Sequence, residues 1–210
     1  MDKKQNDAKL ASRQRRQDAA ASKTSVQSGA LAYLHDFAWM LAVILIVFLI
    51  GFRVVIVSGP SMKATLFDGD YLLLAGNIFY NEPKQGDIVV ASKKSFQNGK
   101  PIVKRVIATE GQTVNIDFNM GVVYVDGVAL DEPYTLTATT LQEGVAFPVT
   151  VEEGCVFVMG DNRNDSTDSR SLEIGQVDCR QILGKAVFLI FPGTDKDNRP
   201  RDFSRIGVFS

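Results

Sequence analysis

Three short stretches hold side chains whose types and spacing suit chemistry. VSGPSMKATL at 57–66 sets Ser61 behind a glycine and a proline, PIVKRVIA at 101–108 embeds Lys104 in an apolar run, and GDNRNDSTDSR at 160–170 gathers Ser166, Asp168 and Arg170. What they can do is bounded by what accompanies them. The single histidine, His35, precedes a long apolar run, so the chain beyond that run cannot build a Ser-His-Asp triad, a Cys-His dyad or a histidine metal site. Cys155 and Cys179 are too few and too widely spaced for zinc; a disulfide and two separate buried thiols are equally open to them. Phosphate-cradling patterns such as GxxxxGK[ST] do not occur. The nucleophilic route left is a serine activated by a lysine, and that lysine needs surroundings apolar enough to disfavour its ammonium form. Such chemistry calls for no metal and no cofactor.

Alternation along a strand puts Ile102, Lys104 and Val106 on one face, with Val103, Arg105 and Ile107 on the other. One of the two cations is therefore expected to share a face with the core, although a strand whose Lys and Arg both reach solvent at its ends fits the composition too. The 160–170 stretch reads equally as a solvated turn or a calcium loop, without the closing Glu and spacing of an EF-hand. Within it, Asp168 and Arg170 are spaced to form a bidentate pair that stiffens the loop.

The elements that must position these residues begin with FAWMLAVILIVFLIGF at 37–52, followed by Arg53 and the apolar VVIV to Val57. Taken as one segment, 37–57 has the roughly 20 residues a helix needs to cross a bilayer. It is too long for the apolar core of a removable signal peptide, and too apolar all round for a core helix of a small domain. The expected domains are thus a basic cytoplasmic tail (1–36, its first 28 residues without persistent periodicity), an anchor (37–57) and an extracytoplasmic domain (58–210). Residues 1–35 carry seven Lys and Arg against three Asp, which places the amino terminus inside. The outer part carries 15 basic and 20 acidic residues, and a nucleic-acid partner is excluded on that balance.

That outer part reads as short strands rich in Val, Ile and aromatics, at 71–75, 87–92, 102–109, 113–118, 122–125, 155–160 and 186–191. Turn formers such as Asp68-Gly69 and Asp126-Gly127 punctuate them. The fold class expected is mainly β: an antiparallel catalytic core with a smaller inserted β lobe at about 112–152, behind one amino-terminal transmembrane helix.

Taken together and in order, SGPSMKATL (58–66), FDGDYLLL (67–74), GDIVV (86–90), KRVIATEGQTV (104–114), GDNRNDSTDSR (160–170) and ILGKAVFLIFP (182–192) resemble the type I signal peptidases. These are membrane-anchored serine proteases that remove signal peptides from exported preproteins. The resemblance runs from the apolar segment to about Pro192, and the short lobe between Lys104 and Gly160 is closer to Gram-positive members. It implies Ser61 as nucleophile, Lys104 as general base, Ser166 orienting the lysine amine, and Asp168 with Arg170 holding the site together. It further implies the Ser61 backbone N–H in the oxyanion hole, and Val57, Met62, Leu66 and Val103 around a shallow pocket for small side chains of an Ala-x-Ala site. Gly59 stands where some members carry a second oxyanion donor, for which Ser58 is a substitute. Ala64 and Ala108 stand where proline and glycine are usual. The implied partners are signal-peptide-bearing preproteins and the lipid bilayer of the cell membrane, with no cofactor. The reading from a different class is a membrane-tethered β domain for binding or assembly without catalysis.

Overall fold

The structure, a computed structural model, describes residues 33–194 and 200–209. Nearly all of the basic tail expected at 1–36 lies outside these residues. Two compact units are present, Met1–Leu49 and Ile50–Ser210.

In the first unit the described residues belong to helix α1, Tyr33–Gly51, long and apolar enough to cross a membrane. Its 19 residues rise about 28 Å at 1.5 Å each. Its large apolar side chains are exposed on every side, including Trp39, Leu45 and Phe48. A helix whose apolar side chains are exposed all round suits a lipid solvent.

The second unit is built from β1 (Phe52–Ile56), β2 (Tyr71–Gly76), β3 (Ile88–Ala91), β4 (Ile102–Thr109), β5 (Thr113–Asp117), β6 (Val122–Val125), β7 (Val128–Ala129), β8 (Val149–Thr150), β9 (Cys155–Met159), β10 (Val177–Asp178), β11 (Ile182–Phe191) and β12 (Gly207–Val208). The only helices described in it are three short 3-10 turns. An eight-stranded sheet runs β1-β2-β11-β3-β4-β9-β10, with β12 added on β11; a four-stranded sheet runs β7-β6-β5-β8. The smaller sheet occupies the stretch expected to form an inserted lobe. Its β6–β7 hairpin turns on Asp126 and Gly127, both at positive φ (53° and 79°), the two-residue geometry that matches strand twist.

The expected anchor divides at Gly51. Phe52–Ile56 is not helix but edge strand β1, paired antiparallel with β2 from Phe52↔Ala75 to Ile56↔Tyr71. The physical reason is local. Val54, Val55 and Ile56 are β-branched and lie opposite Leu73, Leu72 and Tyr71, so pairing satisfies their backbone while hydropathy alone reads them as more helix.

Both faces of the large sheet are covered. Val57, Met62, Leu66, Leu72, Leu74, Ile88 and Val90 form one core, and Val89, Ala91, Val106, Val156, Val158 and Ile182 another. A third joins the small sheet to the large one through Ile107, Val114, Ile116, Val123, Phe157 and Met159. Strand β4 runs through this arrangement, and alternation can send neither of its cations to solvent. Lys104 faces the side of Val89 and Val106, Arg105 pairs with Ile88, and the two are 4% and 6% exposed. The expectation of one buried cation is corrected to two.

Candidate active site

Residues 57–70 form a loop closed on itself. The Val57 N–H donates to Asp70 O and the Gly69 N–H to Val57 O, both at 2.9 Å. Gly59 sits at φ +97°, a conformation that favours glycine, and its N–H donates to Asp68 Oδ1 at 2.7 Å. Beyond Ser61 the chain coils tightly: the N–H groups of Thr65 and Leu66 both donate to Met62 O. Met62 and Leu66 are buried in the core below, so Ser61 is carried on a turn nailed down by its apolar neighbours.

The Lys104 Nζ lies 2.7 Å from Ser61 Oγ, hydrogen-bonded to it. Burial is the main influence on that amine and lowers its pKa from 10.5 to about 8. Asp168, Glu143 and Asp161 oppose the shift by favouring the ammonium, whereas the Arg170 charge adds to it. A neutral amine is therefore accessible near neutral pH, which an exposed lysine does not offer.

The 160–170 loop closes over the pair. Asp168, fully buried, accepts from the Gly160 N–H (3.0 Å), the Ser166 hydroxyl (2.9 Å), and Arg170 Nε and Nη2 (both 2.8 Å). Arg170 is equally buried and also donates to the carbonyls of Arg163 and Leu141, with Glu143 at 3.4 Å. Ser166 lines the same groove as Lys104, but its hydrogen goes to Asp168; among the described residues Lys104 Nζ hydrogen-bonds Ser61 alone. Gly160 permits this crowding, since a Cβ there would meet Ser166 Oγ at 2.2 Å and Ser61 O at 2.5 Å.

Residues outside the expected set tie the loops together. Asn162 donates its N–H to Ser61 O (3.0 Å) and its Nδ2 to Pro60 O (3.2 Å), pinning the backbone on both sides of the serine. Arg105 forks onto Asp161 (Nε–Oδ1 2.8 Å, Nη2–Oδ2 2.7 Å), beneath the Tyr134 ring at 3.9 Å. Thr65 Oγ1 donates to the same carboxylate at 2.5 Å. Thus two of the three carboxylates of the loop that could suggest a calcium site, Asp161 and Asp168, are turned to guanidinium groups, while Asp165 is exposed. Sequence alternation marked Arg105 as a cation near the core, yet nothing in the sequence named its partner.

A cavity of about 670 Å³ opens beside Ser61 and Lys104. Its apolar walls are Val55, Ile56, Val90, Ile102 and Val103. Of the four residues expected around the small-side-chain pocket only Val103 lines it. Val57, Met62 and Leu66 are buried in the core beneath it, against which Val103 packs, and the β1–loop junction turns Val57 inward onto β2. The Ser61 N–H makes no hydrogen bond among the described residues, and Ser58 lines the cavity beside it. Cys155 and Cys179 are free, half-buried thiols.

Comparison with known proteins bears on this geometry. The sequence profile of the family described as "Signal peptidase, peptidase S26" matches residues 30–191. A signal peptidase I of Bacillus licheniformis is 35% identical over 170 residues, covering 74% of this chain and 89% of that protein. A probable signal peptidase I-1 of Synechocystis is 38% identical over 145 residues, 66% and 70% of the two chains. Among solved structures, a signal peptidase I from Enterococcus faecalis V583 is similar at 30% identity and a TM-score of 0.42, over 50% of this chain and 96% of that one.

Proposed function

This chain belongs to the S26 family of signal peptidases, and from that premise we propose that it cleaves signal peptides from exported preproteins with Ser61 as nucleophile and Lys104 as general base. Membership makes the chain a peptidase and displaces the alternative of a non-catalytic binding domain. The observation that carries the finer reading is the 2.7 Å approach of a buried lysine amine to the serine hydroxyl.

Neutral Lys104 takes the Ser61 proton as Oγ bonds to the scissile carbonyl carbon; the ammonium then protonates the departing amine as the C–N bond breaks. Water, losing its proton to the same lysine, attacks the acyl-enzyme and releases Ser61. The Ser61 N–H, which makes no hydrogen bond among the described residues, receives the oxyanion, with the Ser58 hydroxyl on the same cavity. Ser166, having given its hydrogen to Asp168, keeps oxygen lone pairs free to accept from the ammonium in the groove they share; Arg170 fixes Asp168 in that task. The apolar wall beside the serine suits small apolar side chains of an extended segment, the Ala-x-Ala pattern. Helix α1 crosses the cell membrane with the basic amino terminus inside, and residues beyond Gly51 work on the outer face where signal peptides emerge. That concentrates substrate at the site.

The test is cleavage of a reporter preprotein by the purified full-length chain in detergent, with amino-terminal sequencing of the product. The expected cut follows Ala-x-Ala and vanishes in Ser61→Ala; undiminished cleavage by that variant removes Ser61 from the mechanism. The pH dependence has a defined sign. Because the amine must be uncharged, kcat/KM is expected to rise with pH up to about 8 and to fall about tenfold per pH unit below that. A profile flat on the acid side, with the fold intact, contradicts Lys104 as the base.

A further inference from the structure

Residues 200–209 lie beyond the span matched by the family profile, which ends at 191, and they fasten onto the back of the nucleophile loop. Asp202 caps the 3-10 turn Phe203–Arg205, its carboxylate accepting from the Ser204 N–H at 3.0 Å. Phe203 stands edge-on to Phe191 (5.6 Å between centroids), β12 pairs with β11 at Phe188↔Val208 and Leu189↔Gly207, and Phe209 packs on the core that holds Met62 and Leu66. Between these anchors Arg205 reaches the loop. Its Nη2 donates to Thr65 O (3.1 Å) and Asp70 Oδ2 (2.7 Å), and its Nη1 to Asp70 Oδ1 (3.1 Å), while the guanidinium lies 4.3 Å from the Phe67 ring centroid. Asp70 is fully buried and also accepts from the N–H groups of Phe67 (2.8 Å) and Gly193 (2.7 Å).

Thr65 is the last residue of the turn that begins at Ser61, and it is gripped from two sides. Its hydroxyl goes to Asp161, the partner of Arg105 next to Lys104; its carbonyl goes to Arg205. Arg105 therefore ties the turn to the strand carrying the lysine, and Arg205 stops the turn from moving away behind it. A planar fork that also stacks on a ring loses little freedom in making these bonds, which suits it to fixing a backbone.

We infer that Arg205 is a positioning residue for Ser61: through Thr65 and Asp70 it holds the nucleophile turn at hydrogen-bonding distance from Lys104. The inference rests on the reading of Ser61 and Lys104 as the reacting pair. Displacement of reacting groups by about 1 Å costs up to about 100-fold in rate, so the effect belongs in kcat.

The experiment uses the full-length chain and the reporter preprotein, with Arg205→Ala and Arg205→Lys. Arg205→Ala is expected to lower kcat about 10- to 100-fold with KM within about twofold. Loosening the turn also admits water to Lys104, so the acid limb of the pH profile moves to higher pH; a loss of folded protein alone would leave its midpoint in place. Arg205→Lys keeps a charge beside buried Asp70 and so keeps the fold, but cannot span Asp70 and Thr65 with the same fork; its kcat is expected between those of the other two proteins. Wild-type kcat and limb position in the lysine variant overturn the inference even where the alanine variant does not fold. So does a fall confined to KM. Absence of cleavage by the wild-type chain instead overturns the function on which the inference rests.

Discussion

Replacing Lys104 with methionine is expected to reduce preprotein cleavage at least about 10,000-fold while leaving the melting temperature unchanged or slightly raised. The two halves of this result have one cause. Lys104 is buried among Val89, Val106 and the groove wall, and the fold holds it against a desolvation cost that is the largest influence on its pKa. Methionine fills nearly the same volume without an amine to desolvate, so the scaffold has nothing to lose. In the proposed mechanism the reaction loses the group that takes the Ser61 proton, and no histidine lies among residues 52–210 to replace it. Lys104→Arg sharpens the test, since a guanidinium keeps the charge and reach yet stays protonated at any working pH; it is expected to be as inactive as methionine. Single-turnover cleavage at pH about 8 or above, together with thermal unfolding, reads both outcomes. Cleavage within tenfold of wild type by either folded variant contradicts Lys104 as the base.

The second large effect is on stability. Asp168→Ala is expected to destabilise by about 3–5 kcal/mol, because it strands a guanidinium in the interior. Arg170 and Asp168 are both 0% exposed and joined by two 2.8 Å bonds, and the same carboxylate receives the Gly160 N–H and the Ser166 hydroxyl. For a domain of this size the loss appears as a fall of roughly 10 °C in melting temperature. The double variant Asp168→Leu with Arg170→Met removes the stranded charge and is expected to recover much of that stability without recovering cleavage, since Ser166 still lacks its anchor. Ser166→Ala, which removes one hydroxyl, is expected to melt within a few degrees of wild type. An Asp168→Ala variant that melts like wild type shows that the ion pair does not hold the interior.

The strands with period-two patterning and turn formers at both ends were legible from residues alone: six of the seven begin within one residue of their expected starts, as at Tyr71, Ile88 and Thr113. The exception is β11, whose Gly184 and Lys185 conceal a start at Ile182 rather than Ala186. Pairs such as Val128–Ala129 and Val177–Asp178 are strands only because a neighbour offers a free edge, a tertiary fact without a local signal. The same limit governed β1, where an apolar strand abutting an apolar helix carries no hydropathic boundary. At the site, Ser61 and Lys104 are 43 residues apart and meet because β4 and the nucleophile loop close on one groove; residue type proposed the pairing, and topology alone could make it. Arg205 gave no warning. It sits in a polar stretch of the kind that reads as solvated terminus, and its meaning comes wholly from Asp70, 135 residues earlier.

The position of β11 between β2 and β3 has a consequence for how the enzyme comes into being. Strands 71–76 and 88–91 are made early but flank a slot that stays vacant until residues 182–191 leave the ribosome. During synthesis the large sheet is thus two unjoined pieces with open edges, and sealing it must bridge about a hundred residues of chain, a slow, late step. The strands next to Ser61 (β1 and β2) and those beside and carrying Lys104 (β3 and β4) are joined in the sheet only through β11, so the groove that holds both residues takes shape only once 182–191 are in place.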